Sequence, residues 1–171
     1  VSADEQHKNL YVLGSNILVN SNTTGDLYIA GGNVTIEGNV EGDLTLAGGT
    51  AYVNGTVGGD VRAIGGTVNL NDAIGGDLVI AGGTVILNEK ATVAGDLFAG
   101  GGEINILVAV TGQVRVHADS LTINSSILGN VELNVIEELS ICSKAVFGNI
   151  AKYKSVNEEK VENGGVLGGL Q

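Results

Sequence analysis

The chain has 171 residues with 28 glycines and no proline, methionine or tryptophan, and its formal net charge is −11. Glycine this abundant without proline excludes a collagen triple helix, and the acidic balance argues against nucleic acid as a partner, because binding nucleic acid requires a basic footprint. No stretch reaches the roughly 18 consecutive apolar residues of a membrane helix, so we expect no direct membrane insertion by this segment.

Residues 1–7 precede any repeat and are predicted to form an N-terminal segment. The chain begins with Val1 rather than methionine, which indicates a processed product or a piece of a longer one. A Gly-Asp step then recurs every 17 residues and, by extrapolation, the first coil begins at residue 8. A fixed period of this kind predicts a stacked solenoid. We expect a β-helix domain over 8–168 and the start of a further coil, or a C-terminal stub, at 169–171.

Residues 42–58 show how one coil is built. Leu44 and Leu46 stand two apart, which is the pattern of a short strand with one buried face. Small residues follow, and a second short strand contains Ala51 and Val53. An Asn-Gly turn and one more apolar position complete the cycle. The pattern predicts an all-β fold, a single-stranded, three-sided β-helix of about nine coils of 17 residues.

Two stretches, 88–92 and 141–145, each add residues to one coil. Both are predicted to lie at corners, where an insertion can bulge outward without disturbing the register; a binding loop is the alternative. After Val114 the Ala-Gly-Gly signature decays, and the last coil contains the charged run 157–160. Polar, degraded terminal coils are typical of solenoid caps.

Stacked coils would place the residues of the Gly-Asp step in one column, about 4.8 Å apart. Like charges at that spacing repel, so either bridging cations or hydrogen bonds from the backbone at each aspartate's own corner must compensate. The column continues with amides, which keep the hydrogen-bonding shape but lose the charge, and this favours a structural role without a metal. The column is predicted to contain Asp26, Asp43, Asp60, Asp77, Asp96, Gln113, Asn130 and Asn149.

No catalytic constellation is recognisable, and neither a catalytic residue nor a cofactor is predicted. His117 has Asp119 nearby, but no long loop is predicted to cover it, and the repeat differs from that of hexapeptide acyltransferases. Polysaccharide-acting β-helix enzymes carry long loops and aromatic platforms, which are scarce here. Cys142 lies near Lys144, yet no histidine follows it as a partner. The chain is therefore predicted not to be an enzyme.

The repeated G-D-L-x-x-A-G-G-x-V-x-I-x-G-x-V, as in residues 25–40, resembles the bactofilin-type polymer-forming proteins, in particular their envelope-associated relatives. The stretches 138–150 and 153–155 are similar to the closing coils of that subgroup. The resemblance spans residues 9–169. It implies a right-handed, three-sided β-helix that polymerises without nucleotide, coil end against coil end. It also implies that a longer precursor could carry a membrane tether, and a location at the cell envelope or outer surface, with the cytoplasm as the alternative.

A β-helix leaves unpaired backbone groups on its first and last coils, and these edges can pair with another copy. The expected function is therefore a structural one, in which copies associate end to end into filaments or scaffolds with the chain itself as partner. The alternative is a monomeric surface spacer or adhesin-type module with capped ends. The apolar residues expected at the two ends are Leu10, Val12, Val166 and Leu170.

Overall fold

The computed structural model describes residues 8–155 and 159–161, and over these residues the chain is an all-β parallel solenoid of about nine turns with coils of about 17 residues. The predicted repeat architecture is confirmed. Coils 1 to 9 begin with β1, β2, β3, β4, β5, β7, β9, β11 and β13, in that order. The strands are β1 Leu10–Val19, β2 Leu27–Ile36, β3 Leu44–Val53, β4 Val61–Leu70, β5 Leu78–Leu87, β6 Thr92–Val93, β7 Leu97–Ile106, β8 Ala109–Val110, β9 Val114–Ile123, β10 Ser126–Ile127, β11 Val131–Ile141, β12 Val146–Phe147, β13 Ala151–Ser155 and β14 Glu159–Val161.

Coils 1 to 8 each contribute one long strand and one short paired stretch, and the described part of coil 9 contributes β13 and β14. The long strands pair with their counterparts one coil away, in parallel and in register. The short stretches form single bridges in the first coils, such as Val40 to Val57, and two-residue strands from β6 onward. No helix long and apolar enough to cross a membrane occurs among the described residues.

The core lies along the axis of the solenoid and consists of stacked aliphatic side chains. Leu27, Leu44, Leu78 and Leu97 occupy the same position in successive coils or nearby ones and are completely buried. Burying one leucine side chain contributes about 2 kcal/mol. Because a single strand cannot bury its own apolar face, each coil depends on its neighbours for this contribution.

Glycine at the Asn-Gly turn is required by the close approach of the neighbouring coil. A Cβ atom added to Gly55 would lie 2.1 Å from the carbonyl oxygen of Gly38, one coil away. That distance is far shorter than any real contact of a Cβ atom, and the carbonyl group cannot move aside because it belongs to the backbone. The turn glycine therefore reflects the stacking of coils as well as local turn geometry.

The first half of each long strand carries two outward-facing columns of side chains. The Tyr11 column consists of Tyr11, Tyr28, Thr45, Arg62, Val79, Phe98, Arg115, Glu132 and Lys152. The Leu13 column consists of Leu13, Ala30, Ala47, Ile64, Ala81, Gly100, His117, Asn134 and Lys154. Together they form the first face of the rod.

The two short strands predicted for each coil are joined in one continuous strand. In coil 3, β3 runs through the small residues, and its register with β4 proceeds from Gly48 opposite Gly65 directly to Thr50 opposite Thr67. The small residues expected between the two short strands therefore lie within β3. A Cβ atom added to Gly49 would be 2.8 Å from the carbonyl oxygen of Gly32, so glycine lets the backbones of neighbouring coils pass closely.

The insertion predicted at 88–92 forms a turn in which Glu89 and Lys90 are exposed and Ala91 is buried, and the Ala91 N–H donates to the carbonyl of Asn88 (3.0 Å). The second insertion, at 141–145, has the same kind of bond, from Ala145 to Cys142 (3.0 Å). A third irregularity was not predicted. The register of β11 with β9 shifts between Val135 and Glu138, so a β-bulge adds one residue to coil 8.

Candidate functional site

The aspartates of the Gly-Asp step form a continuous ladder along one edge of the rod. The Oδ1 atom of each accepts a hydrogen bond from the backbone N–H of the residue at the same position one coil later. The bonds run from Asp26 to Asn9 (3.1 Å), Asp43 to Asp26 (3.0 Å), Asp60 to Asp43 (2.9 Å), Asp77 to Asp60 (2.9 Å), Asp96 to Asp77 (2.8 Å) and Gln113 to Asp96 (2.8 Å), with the donor first. The ladder therefore links seven coils.

These bonds correct one detail of the sequence analysis. Hydrogen bonds were expected at each aspartate's own corner, whereas the observed donor belongs to the following coil. The difference arises because the backbone N–H at this position points along the rod axis, where the carboxylate of the preceding coil lies. Each bond joins one coil to the next, and the column thus fastens successive coils together.

Arg62 offsets part of the repulsion within the column. Its guanidinium lies 3.2 Å from the Oδ2 atom of Asp60 and 3.5 Å from the Oδ2 atom of Asp43. The Oδ1 atoms of both aspartates remain bonded to backbone N–H groups. Because the arginine is more than half exposed, each ion pair contributes about 0.5 kcal/mol.

The C-terminal end of the predicted column differs from the prediction. Val131 pairs with Ala151, so Ile150 stands in line with Asn130, and the prediction that Asn149 continues the column is wrong. The Oδ1 atom of Asn149 instead accepts a bond from the N–H of Ile150 at its own corner (2.9 Å). The bulge in β11 explains the error, because it adds one residue that the Gly-Asn match did not count.

A second ladder, made of side-chain amides, was missed by the sequence analysis. The Asn54 amide donates to Glu37 Oε1 (2.8 Å), the Asn71 amide donates to Asn54 Oδ1 (2.6 Å), and Asn88 donates to Asn71. Asparagine at 54, 71 and 88 has the same 17-residue spacing as the aspartates. That spacing was available in the sequence and would have identified the ladder.

The N-terminal end of the rod carries a pair of stacked aromatic rings. The rings of Tyr11 and Tyr28 are 4.8 Å apart between centroids and only 6° from parallel. The Tyr28 hydroxyl donates to Asp26 Oδ2 (3.4 Å). The negative charge of Asp26, before any other cause, raises the pKa of Tyr28 above its usual value.

The first strand is the most exposed apolar element among the described residues. Leu13 is 84% exposed and Tyr11 is 71% exposed. The predicted end residues Leu10 and Val12 are only partly buried, whereas Leu27, at the position of Leu10 one coil later, is fully buried. Within the described part of the chain, β1 pairs only with β2. The other two predicted end residues, Val166 and Leu170, lie outside the described residues.

The residues considered for catalysis are not gathered into one place. His117 and Asp119 are exposed on β9, while Cys142 is half-buried at the second insertion. The Lys144 ammonium lies 3.5 Å from Glu89 Oε1 of the first insertion. Within the described ranges, no three or more His, Cys, Asp or Glu side chains are grouped so as to hold a metal ion.

Comparison with known proteins gives no relative: no family model matches the sequence, and no curated protein or solved structure matches it.

Proposed function

We propose that this protein is a structural component whose copies associate end to end, through the edges of their terminal coils, at the cell envelope or outer surface. The observation that carries the proposal is the core at β1, which no further strand covers among residues 8–155 and 159–161. The core positions of this strand are partly exposed, and its outward positions carry Tyr11 and Leu13. A further coil placed on this edge would bury the core positions, as coil 2 shows at Leu27, and would lower the exposure of Tyr11 from 71% towards the 36% of Tyr28.

Backbone geometry supports the same proposal. The Leu10 N–H donates to the Asp26 carbonyl (2.9 Å), so the backbone groups of Leu10 face coil 2. In a parallel sheet, successive residues direct their N–H and C=O groups to opposite neighbours. Those of Tyr11 and Leu13 therefore face the open edge, where a strand from another copy can pair with them. The bactofilin resemblance of the repeat points to the same mode of assembly.

Electron microscopy of the purified full chain, with the length of the particles as the measurement, tests this proposal. Wild-type protein is expected to give rods longer than one molecule at high concentration. Leu13→Lys should shorten them to single molecules, because a lysine at this position places a charge on the edge. Leu128→Lys is the matched control, since Leu128 is 58% exposed in coil 7, away from the edge.

Single rods at every concentration of the wild-type protein would overturn the proposal and favour the second candidate, a monomeric spacer or adhesin-type module. One observation favours that candidate. Lysines occupy the outward positions 152 and 154 of β13, and edge lysines commonly protect a strand from pairing.

A further inference from the structure

We infer that the first face of the rod is a self-complementary surface that binds a second copy side by side and antiparallel. The inference starts from the Leu13 column. Between coils 2 and 5 this column contains alanine at every position except Ile64, which is 61% exposed. Ile64 therefore protrudes as a single apolar knob from an otherwise flat stretch.

A hole lies in the same column two coils further on. Gly100 replaces the alanine, and a Cβ atom added there would meet only the His117 carbonyl oxygen, at 3.9 Å. An apolar trough of about 460 Å³ lies over Gly100, between Phe98 and His117 and beside Ala81, and the Arg115–Glu132 ion pair forms its far side. Nothing within the monomer described here requires glycine at position 100, in contrast to Gly55.

Knob and hole are placed so that two identical copies fit each other. They lie two coils apart, about 10 Å, with coil 5 midway between them. A two-fold axis that lies between the two faces, perpendicular to the rods and level with coil 5, sets coil 4 of each copy against coil 6 of the other. Ile64 of each copy then enters the trough of its partner, which is the reciprocal contact of a closed two-fold interface.

The rest of the face agrees with this arrangement. On the axis, Val79, which is 47% exposed, meets its own counterpart, and Ala81 does the same. One coil outward, Arg62 comes opposite Phe98, a ring that already lies 5.6 Å from the Arg115 guanidinium of its own chain. An apolar centre with a polar rim is the usual composition of a protein interface.

Charge sets the conditions for pairing. Each chain carries a net charge of −11, and the two-fold axis brings the Asp77 positions of both copies to the same edge of the interface. Screening by salt reduces both repulsions. Side-by-side pairing is therefore expected to strengthen as ionic strength rises.

A knob-and-hole exchange followed by sedimentation tests the inference. Ile64→Gly and Gly100→Ile should each weaken dimer formation at high salt by about tenfold or more, because the first removes the knob and the second fills the hole. The double variant moves the knob to coil 6 and the hole to coil 4, so it should pair as the wild type does. Coil 6 already has three successive glycines and coil 4 has Ile-Gly-Gly, so each change copies a local sequence present in this fold. Leu128→Gly, at a similarly exposed position outside the face, is the control.

Oxidation of Ala81→Cys gives a second readout that does not depend on the knob. Antiparallel pairing should produce a disulfide between the two copies at position 81, identified by mass spectrometry of the linked peptide and thus distinguished from bonds of Cys142. End-to-end assembly cannot produce this bond, because coil 5 lies in the middle of the rod. The cross-linking result is therefore independent of whether the chain forms filaments. Thr122→Cys, on the other half of a long strand, should not cross-link. Loss of pairing in the double variant, or absence of the bond at position 81 at high salt, would overturn the inference.

Discussion

At the scale of single residues, the aspartate ladder explains why a negatively charged residue recurs in a rod whose net charge is already −11. Each Oδ1 atom accepts a hydrogen bond from a backbone N–H of the following coil at 2.8 to 3.1 Å. The column therefore gives these corner N–H groups an acceptor. Asn9 performs the same task with an uncharged oxygen. The side-chain oxygen is therefore the essential element, and the charge is not.

This view predicts different outcomes for two substitutions at Asp77. Asp77→Ala leaves the N–H of Asp96 without its acceptor, and we expect the free energy of unfolding to fall by about 1 kcal/mol. Asp77→Asn keeps the oxygen and removes a charge between two others, so its stability should equal or exceed that of the wild type. Urea unfolding followed by circular dichroism measures both. Equal losses in the two variants would contradict the importance of the oxygen.

Ser125 presents the reverse case, a polar group in a position suited to an apolar one. Its hydroxyl is buried without a hydrogen-bond partner, and the corresponding residues of the neighbouring coils are Val108 and Ala145, both fully buried. Ser125→Ala is expected to raise the free energy of unfolding by about 1 kcal/mol, because an unsatisfied group is removed. Ser143→Ala, at an exposed position, should leave it unchanged. A lower melting temperature for Ser125→Ala would show that the hydroxyl stabilises the fold.

At the scale of strands and corners, much of the fold follows from the sequence by simple periodicity. Alternation identified inward residues such as Leu44 and Leu46, and the 17-residue spacing identified parallel, in-register coils. Spacing could not reveal the bulge in β11, because an extra residue inside a degraded repeat looks like substitution. The error at Asn149 followed directly. The direction of the ladder bonds was also hidden, since it depends on where a backbone N–H points.

Adjacent positions of β5 offer a direct test of the inward assignment. Leu78 is fully buried and Val79 is 47% exposed, although they are neighbours in one strand. Leu78→Asp would bury an unpaired carboxylate, and we expect it to cost at least about 3 kcal/mol and to unfold the neighbouring coils. Val79→Asp should cost less than about 1 kcal/mol. If thermal unfolding shows similar losses for both variants, the alternation of this strand is misassigned.

At the scale of the whole molecule, a solenoid derives its stability from contacts between successive coils, so central coils have two stabilising neighbours and a terminal coil has one. The side chains of β1 are exposed because coil 1 lacks a second neighbour among the described coils. End-to-end assembly would supply that neighbour, so it should change the stability of coil 1 more than that of any central coil. Side-by-side pairing, in contrast, is centred on coil 5 and covers outward side chains only, so it leaves the backbone N–H groups at the edge of β1 unpaired. The two modes of association thus act on different coils and can be separated by measuring local protection.

Amide hydrogen exchange should resolve them. In dilute protein at low salt, the N–H groups of Tyr11 and Leu13 face the open edge and should exchange quickly, whereas that of Leu10 is bonded to Asp26 and should exchange more slowly. End-to-end assembly at high concentration is expected to slow the exchange of Tyr11 and Leu13 by about tenfold or more and to change Leu44 little, because Leu44 lies within an already paired strand. Leu13→Lys should abolish that protection while leaving the exchange of Leu44 as in the wild type. If Tyr11 and Leu13 exchange equally fast in long rods and in single molecules, the rods must be held together elsewhere, and the edge of β1 is not the surface that joins them.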